Sequence, residues 1–159
     1  MPSLDQQLAH ALQKERETGL ERVLRAAPPG VLDIASNDYL GLARHPEVVA
    51  AAQRATAEWG AGARASRLVS GHTPLHAQLE AALAAWKETA AALVFSSGYA
   101  ANLAVVQSLA DESTLLCCDK RNHASLIDAC RLATSSGAAV RYYQTPEKLR
   151  RLLAQEKTA

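Results

Sequence analysis

The chain has 159 residues, of which 48% are hydrophobic, and its 17 Lys and Arg nearly balance its 16 Asp and Glu, for a formal charge of +1. This composition excludes a mainly disordered chain, and the scattered charges give no reason to expect nucleic acid or an anionic membrane as a partner. No apolar window is long enough to span a bilayer and the N-terminus alternates apolar with charged residues, so the sequence predicts neither a spanning helix nor a signal peptide, and we expect a cytoplasmic protein.

Residues 1–45 predict a helical lead-in that contains one strand. Leucines recur at multiples of four from Leu4 to Leu24, which is the stripe of an amphipathic helix. Residues 31–35 form a short apolar run that predicts a strand, and residues 36–42 are typical of a polar turn. We therefore expect a first segment at 1–45 and, at 46–159, part of a larger domain.

Two further helices are predicted before the sheet begins. Pro46 at a first helical position and Gly60 directly after Trp59 bracket one helix. Thr73 followed by Pro74 gives the cap and first turn of the next.

Three strand-then-helix units follow. The apolar runs 91–95, 114–118 and 139–143 predict strands, and each precedes a segment of helical composition, at 99–110, 124–133 and 146–155. Consecutive units with near-continuous apolar strands indicate a parallel sheet covered on both faces, so the predicted fold class is α/β. No strand signal follows the last helix, so we expect an incomplete sheet.

The cysteines and histidines show no disulfide or metal pattern. Cys117, Cys118 and Cys130 are an odd count without a C-x-x-C pair, and we interpret them as reduced thiols that serve as small hydrophobic side chains. His72 and His76 are four residues apart, but the proline between them places His72 outside the predicted helix. We therefore expect the two rings on different faces and no metal site.

Two glycine-containing turns are candidates for anion binding. Residues 60–65 match G-x-G-x-x-A, but a helix precedes them instead of a strand, so a tight loop is the preferred interpretation. Residues 96–102, which include Gly98, join a predicted strand to a helix N-terminus, where free N–H groups favour a phosphate. The P-loop lysine is absent, and an ordinary strand-to-helix turn remains an equal alternative.

Five polar residues, 119–123, follow the second of these three strands. Open α/β sheets place their ligands at the carboxyl ends of strands, and a histidine there can stack, donate or accept. A solvated turn is the alternative. The residues alone thus predict an α/β segment with a phosphate site near Gly98 and a functional His123.

Four ordered blocks carry a further signal: S-N-D-Y-L-G-L at 36–42, S-R-L-V-S-G-H-T-P-L-H at 66–76, F-S-S-G-Y-A-A-N at 95–102 and N-H-A-S-L at 122–126. Together they resemble the α-oxoamine synthases, pyridoxal-phosphate enzymes of the aspartate-aminotransferase fold (fold type I), and the second block is most similar to the biotin-pathway branch. The resemblance implies pyridoxal 5'-phosphate as cofactor and a homodimer. It also implies condensation of L-alanine with pimeloyl-CoA or a pimeloyl carrier protein, with loss of carbon dioxide.

The resemblance implies roles for individual residues as well. The backbone at Gly98 and Tyr99 would hold the cofactor phosphate. His123 would lie flat against the pyridine ring, and would so contact cofactor and substrate and act in catalysis. Asn37 would contact the amino-acid carboxylate, and Arg22 would meet the acyl substrate.

Complete members of that family are more than twice as long as this chain, and the lysine that carries their cofactor has no counterpart here. The lysines present are Lys14, Lys87, Lys120, Lys148 and Lys157. Lys120 alone follows a predicted strand near His123, in a turn where the family has no such role. We therefore expect the N-terminal part of a longer acyltransferase, inactive by itself.

Two alternatives remain open at this point. One is another α-oxoamine synthase with a different amino acid and acyl thioester. The other is a shortened, non-catalytic binding or assembly module. The coding sequence downstream of codon 159 distinguishes a fragment from a module, because a fragment continues in frame to a lysine-bearing block.

Overall fold

The structure is a computed structural model that describes residues 2–26, 28 and 30–156. The chain forms two compact units, Met1–Ala61 and Gly62–Ala159. The predicted boundary after residue 45 stays a prediction, because these units reflect only the contacts within this chain. The helices and strands of the described residues are α1 (Leu4–Glu17), α2 (Pro46–Trp59), α3 (Pro74–Lys87), α4 (Gly98–Leu109), β1 (Leu115–Asp119), α5 (Ala124–Ala133), β2 (Ala139–Tyr143) and α6 (Pro146–Glu156).

The first helix is shorter than the leucine stripe predicts. It begins at a capping box formed by Ser3 and Gln6 and ends at Glu17, with Thr18 as the C-cap, whose hydroxyl donates to the carbonyl of Lys14 at 3.0 Å. Gly19 follows with a left-handed φ of +70°. The prediction that the helix reaches Leu24 is wrong, because a satisfied last turn and a left-handed glycine end it at Glu17.

The predicted strand at 31–35 is not formed. The Asp33 carboxylate accepts the N–H of Ala35 at 3.0 Å, which turns the chain locally. The predicted polar turn at 36–42 is confirmed: the Asp38 carboxylate accepts the N–H of Leu42 at 2.8 Å, and Gly41 has φ +66°. The prediction of α2 is confirmed at both ends.

The second unit contains the sheet. Strands β1 and β2 pair in parallel, in a register that runs from Leu115 opposite Ala139 to Asp119 opposite Tyr143. Helix α5 connects them and packs on β1, α4 packs on α5, and α6 packs on β2. The α/β fold class with a parallel sheet flanked by helices is therefore confirmed, and so are the helices predicted near 99–110, 124–133 and 146–155.

Small side chains dominate the core of the second unit. Ala110, Ala133 and Ala138 form a buried cluster, against which Val106 and Leu116 pack. Alanines at these positions allow α4, α5 and the chain leading into β2 to approach one another closely.

The three cysteines are free thiols, as predicted. Cys118 is almost completely buried, and Cys130 is buried beside it. Burial, together with the hydrogen bond to Cys118, raises the pKa of the Cys130 thiol to about 11. The Cys130 thiol therefore stays protonated and packs as a small hydrophobic group.

The predicted strand at 91–95 has no ladder partner among the described residues. The N–H of Val94 donates to the Glu80 carboxylate at 2.8 Å, and its carbonyl accepts from the Arg67 guanidinium at 2.8 Å. Because two side chains occupy both backbone groups of Val94, this part of the prediction is wrong, and the first of the three apolar runs has no strand partner among the described residues. No helix in the described part of the chain is long and apolar enough to cross a membrane.

Candidate functional site

The N-terminus of α4 presents two free amides. Ser97 caps the helix: its Oγ accepts the N–H of Ala100 at 3.1 Å, and its carbonyl accepts the N–H of Ala101 at 3.0 Å. The N–H groups of Gly98 and Tyr99 have no acceptor among the described residues.

The space around Gly98 is open, since a Cβ built there meets no atom within 4 Å. Free amides at a helix N-terminus, reinforced by the helix dipole, bind phosphate. The two amides that the sequence singled out, those of Gly98 and Tyr99, thus fit the phosphate of pyridoxal phosphate.

His123 caps α5, directly after the turn that follows β1. Its Nδ1 accepts the backbone N–H of Ser125 at 3.2 Å and lies 2.7 Å from the Ser125 hydroxyl. The preceding turn is closed by the Asp119 carboxylate, which accepts the N–H of Arg121 at 2.8 Å. His123 itself is exposed. An exposed imidazole held at one nitrogen offers the rest of its ring to a ligand.

Hydrogen bonds tie α4 to α5, and so connect the two parts of the site. The Tyr99 hydroxyl donates to the Asp128 carboxylate at 3.0 Å, and this bond raises the pKa of Tyr99. Asn102 Nδ2 donates to Ser125 Oγ at 2.8 Å. The structure therefore brings the predicted residues Gly98, Tyr99 and His123 together on one helix pair.

A charged pair holds the chain just ahead of the α4 turn. The Arg67 guanidinium contacts a Glu80 carboxylate oxygen at 2.8 Å, and both side chains bond the backbone of Val94. The guanidinium and the Val94 N–H lower the pKa of Glu80 to about 2, and the carboxylate raises the pKa of Arg67. Val94 is thereby fixed four residues before Gly98.

The two histidines of the second sequence block lie closer than expected. His72 lies outside α3, as predicted, so the two histidines do not share a helix face, yet their ring centroids are 5.7 Å apart. His72 Nδ1 lies 2.9 Å from the Arg67 guanidinium, and His76 Nδ1 accepts the N–H of Thr73 at 3.1 Å. Both histidines line a cavity of about 900 Å³ that extends to Ser96.

Arg22 and Asn37 belong to the first unit, and both are exposed. The Asn37 side-chain oxygen accepts the Tyr39 hydroxyl at 3.2 Å. Their contacts with substrate stay predictions.

Sequence reasoning missed four residues that shape this site. Ser125 and Asn102 lie inside the quoted blocks, and a serine two residues after a capping histidine was the available signal for the first. Arg67 lies inside the second block as well, but no pattern in the sequence indicates that it pairs with Glu80, because this pairing across 13 residues depends on how the turn at 67–71 folds.

Comparison with known proteins identifies the family of this chain. The model of the family described as aminotransferase class I and II matches residues 29–158, which is most of the chain. The relatives named 8-amino-7-oxononanoate synthase include one from Mycobacterium sp. (strain KMS), 53% identical over 128 residues. That match covers 79% of this chain and 34% of the relative. Another, from Mycolicibacterium gilvum (strain PYR-GCK), is 55% identical over 122 residues, covering 76% of this chain and 32% of the relative. The chain thus spans about one third of the length of the curated relatives it matches.

Solved structures agree with this assignment. Sphingomonas wittichii serine palmitoyltransferase is 34% identical with a TM-score of 0.63, over 67% of this chain and 26% of that one. The 8-amino-7-oxononanoate synthase of Francisella tularensis is 28% identical with a TM-score of 0.61, over 79% and 34%. A variant of SPT solved with PLP is 26% identical with a TM-score of 0.70, over 87% and 37%. Pyridoxal phosphate, the predicted cofactor, is the one present in that SPT variant, and the chain belongs to the class I and II aminotransferase family.

Proposed function

We propose that the chain is the N-terminal part of a pyridoxal-phosphate-dependent C-acyltransferase that condenses L-alanine with a pimeloyl thioester, with loss of carbon dioxide. The product would be 8-amino-7-oxononanoate, a precursor of biotin. The observation that carries the proposal is the open amide pair at Gly98 and Tyr99, on the helix that also contacts the residues around His123. Its similarity to the mycobacterial 8-amino-7-oxononanoate synthases supports the choice of reaction.

The residues of this chain would bind and orient the cofactor. The amides of Gly98 and Tyr99 would donate to the phosphate, where the dipole of α4 adds favourable electrostatics. His123 would lie against the pyridine ring and so would limit which Cα bond of the amino acid can stand perpendicular to it. Pyridoxal phosphate, when bound, supplies an electron sink that stabilises negative charge at Cα.

The first unit would contribute substrate contacts. Asn37 would donate its amide to the carboxylate of L-alanine, while its oxygen keeps the Tyr39 hydroxyl. Arg22, an exposed cation, would meet the acyl thioester, whether pimeloyl-CoA or pimeloyl carrier protein. We further propose that the full-length enzyme is a homodimer in the cytoplasm.

The test uses the full-length enzyme, by which we mean the product of the complete reading frame that contains these residues. Supplied with L-alanine, pimeloyl-CoA and pyridoxal phosphate, it should form 8-amino-7-oxononanoate and release carbon dioxide and coenzyme A. Residues 1–159 expressed alone should give no sustained turnover, because none of the five lysines occupies the cofactor-bearing position of the family. Sustained turnover by the short chain would contradict that part of the proposal.

A second candidate has one observation in its favour, the 34% identity to serine palmitoyltransferase over 67% of the chain. In that case the full-length enzyme is an α-oxoamine synthase with another amino acid and acyl thioester. L-serine with palmitoyl-CoA in the same assay separates the two. Turnover of serine but not alanine would replace the substrate pair and keep the cofactor site.

A further inference from the structure

Ser125 lies at the centre of a short hydrogen-bonded chain that reaches His123. Its side chain is completely buried. Its Oγ lies 2.8 Å from Asn102 Nδ2 and 2.7 Å from His123 Nδ1. We propose that Asn102 and Ser125 are positioning residues that fix the tautomer and the ring orientation of His123, an inference that rests on the role proposed for His123 above.

The direction of each hydrogen bond follows from one backbone group. The N–H of Ser125 can only donate, and it points at His123 Nδ1 at 3.2 Å. Nδ1 is therefore an acceptor, and the neutral ring carries its proton on Nε2. The Ser125 hydroxyl must then donate to Nδ1, which leaves its oxygen to accept from Asn102.

The same count of donors and acceptors determines the orientation of the Asn102 side-chain amide. If its amide were turned so that the oxygen faced Ser125, the hydroxyl would have two acceptors and one proton, and Nδ1 would lose its hydroxyl donor. The chain of donors thus runs from Asn102 through Ser125 to His123. Because the hydroxyl is buried, no water competes for its proton.

This arrangement couples the two halves of the cofactor site. Asn102 lies on α4, one turn beyond the open amides of Gly98 and Tyr99. The helix that holds the phosphate would therefore also set the angle of the ring that lies against the cofactor. Because the single lone pair of Nδ1 is shared by two donors of Ser125, its N–H and its hydroxyl, His123 presents an Nε2–H donor to its ligand.

The test is Asn102→Asp in the full-length enzyme. The change preserves shape, but a carboxylate only accepts, so the Ser125 hydroxyl turns toward it and Nδ1 loses one donor. Gln107→Glu is the matched control, because Gln107 Nε2 donates across the same helix pair to the carbonyl of Ala129 at 3.0 Å without reaching His123. Nitrogen-15 NMR of histidine-labelled enzyme, assigned with His123→Ala, reports the tautomer, and kcat/KM for L-alanine reports the consequence.

We expect wild-type His123 to be a single Nε2–H tautomer and Asn102→Asp to be a mixture, with kcat/KM lower by about tenfold. Gln107→Glu should keep the wild-type histidine spectrum and kcat/KM within about twofold. A wild-type spectrum in Asn102→Asp, or the same change in Gln107→Glu, overturns the proposal. Ser125→Ala gives the same readout should Asn102→Asp not fold. If the wild type does not use L-alanine, the proposed function fails, while the nitrogen-15 spectra still decide the hydrogen-bond direction.

Discussion

Helices α4 and α5 both begin at a capping side chain, but the two caps leave different amides free. Ser97 caps α4 through the N–H of its third residue, Ala100, and the first two amides keep no acceptor among the described residues. His123 caps α5 through the N–H of its second residue, Ser125. The position of the capped amide therefore determines which amides of the first turn stay available: at α4 the third amide is capped, and at α5 the second.

Removing the cap of α5 should have the largest effect on catalysis. In the full-length enzyme, His123→Ala is expected to lower kcat/KM for L-alanine by about a hundredfold, about 2.7 kcal/mol, because the ring no longer aligns the cofactor. Steady-state kinetics and thermal unfolding on one preparation measure both activity and stability. A merely structural histidine would instead lower the melting temperature and leave the activity of the folded enzyme near normal.

His123→Asn separates the cap from the ring. Asparagine is a strong N-cap, so it should recover the helix-capping bond without supplying an imidazole. We expect wild-type stability with the low kcat/KM of the alanine variant. Recovery of activity in His123→Asn would show that capping alone explains the residue.

The open amides of α4 are tested by a proline. Gly98→Pro removes one N–H and should weaken pyridoxal phosphate binding by about tenfold, about 1.4 kcal/mol. Fluorescence titration of the apoenzyme gives the dissociation constant. Gly98→Ala is the matched control, since it keeps the N–H and its Cβ meets nothing within 4 Å. An unchanged dissociation constant in a folded Gly98→Pro enzyme would contradict the phosphate site.

The cap of α4 can be removed without touching the open amides. Ser97→Ala should cost about 1 kcal/mol of stability, because the N–H of Ala100 loses its acceptor. Cofactor affinity should change less than in Gly98→Pro, since the amides of Gly98 and Tyr99 remain. Chemical denaturation measures the loss of stability, and the cofactor titration measures the change in affinity. A larger loss of affinity than in Gly98→Pro would mean that the serine hydroxyl itself binds the phosphate.

Elements marked by local signals could be predicted from the sequence. Pro46 and Gly60 delimit α2, and Thr73 with Pro74 begins α3, because proline, glycine and capping residues act within one turn. Gly98 and His123 were identifiable for the same reason, since each lies where an apolar run ends and a helix begins.

The two predicted strands that are not formed would have needed a neighbouring strand as hydrogen-bonding partner, which a local sequence pattern does not report. At 31–35 the Asp33 carboxylate turns the backbone, and at 91–95 two distant side chains occupy Val94. An apolar run indicates burial, but a strand also needs a neighbouring ladder. The Arg67 and Glu80 pair was missed because nothing in a single sequence reports a contact across a folded turn.

The smallest effect is expected from breaking the ion pair of Arg67 and Glu80. This change tests whether the open amides of α4 depend on the fixed position of Val94. The pKa of Glu80, about 2, lies below the usual glutamate value of about 4.3. The ionised carboxylate therefore stabilises the folded state fully above about pH 4.3, and this contribution is lost as the pH falls toward 2. Glu80→Gln should flatten the fall in melting temperature over that range and weaken cofactor binding at neutral pH by about threefold. Glu112→Gln, at an exposed carboxylate of the same unit, is the control and should keep the wild-type profile. If the melting temperature of Glu80→Gln keeps the wild-type dependence on acid pH, the pairing with Arg67 does not stabilise the fold. If the acid dependence changes but cofactor affinity does not, the position of the α4 amides does not depend on this ion pair.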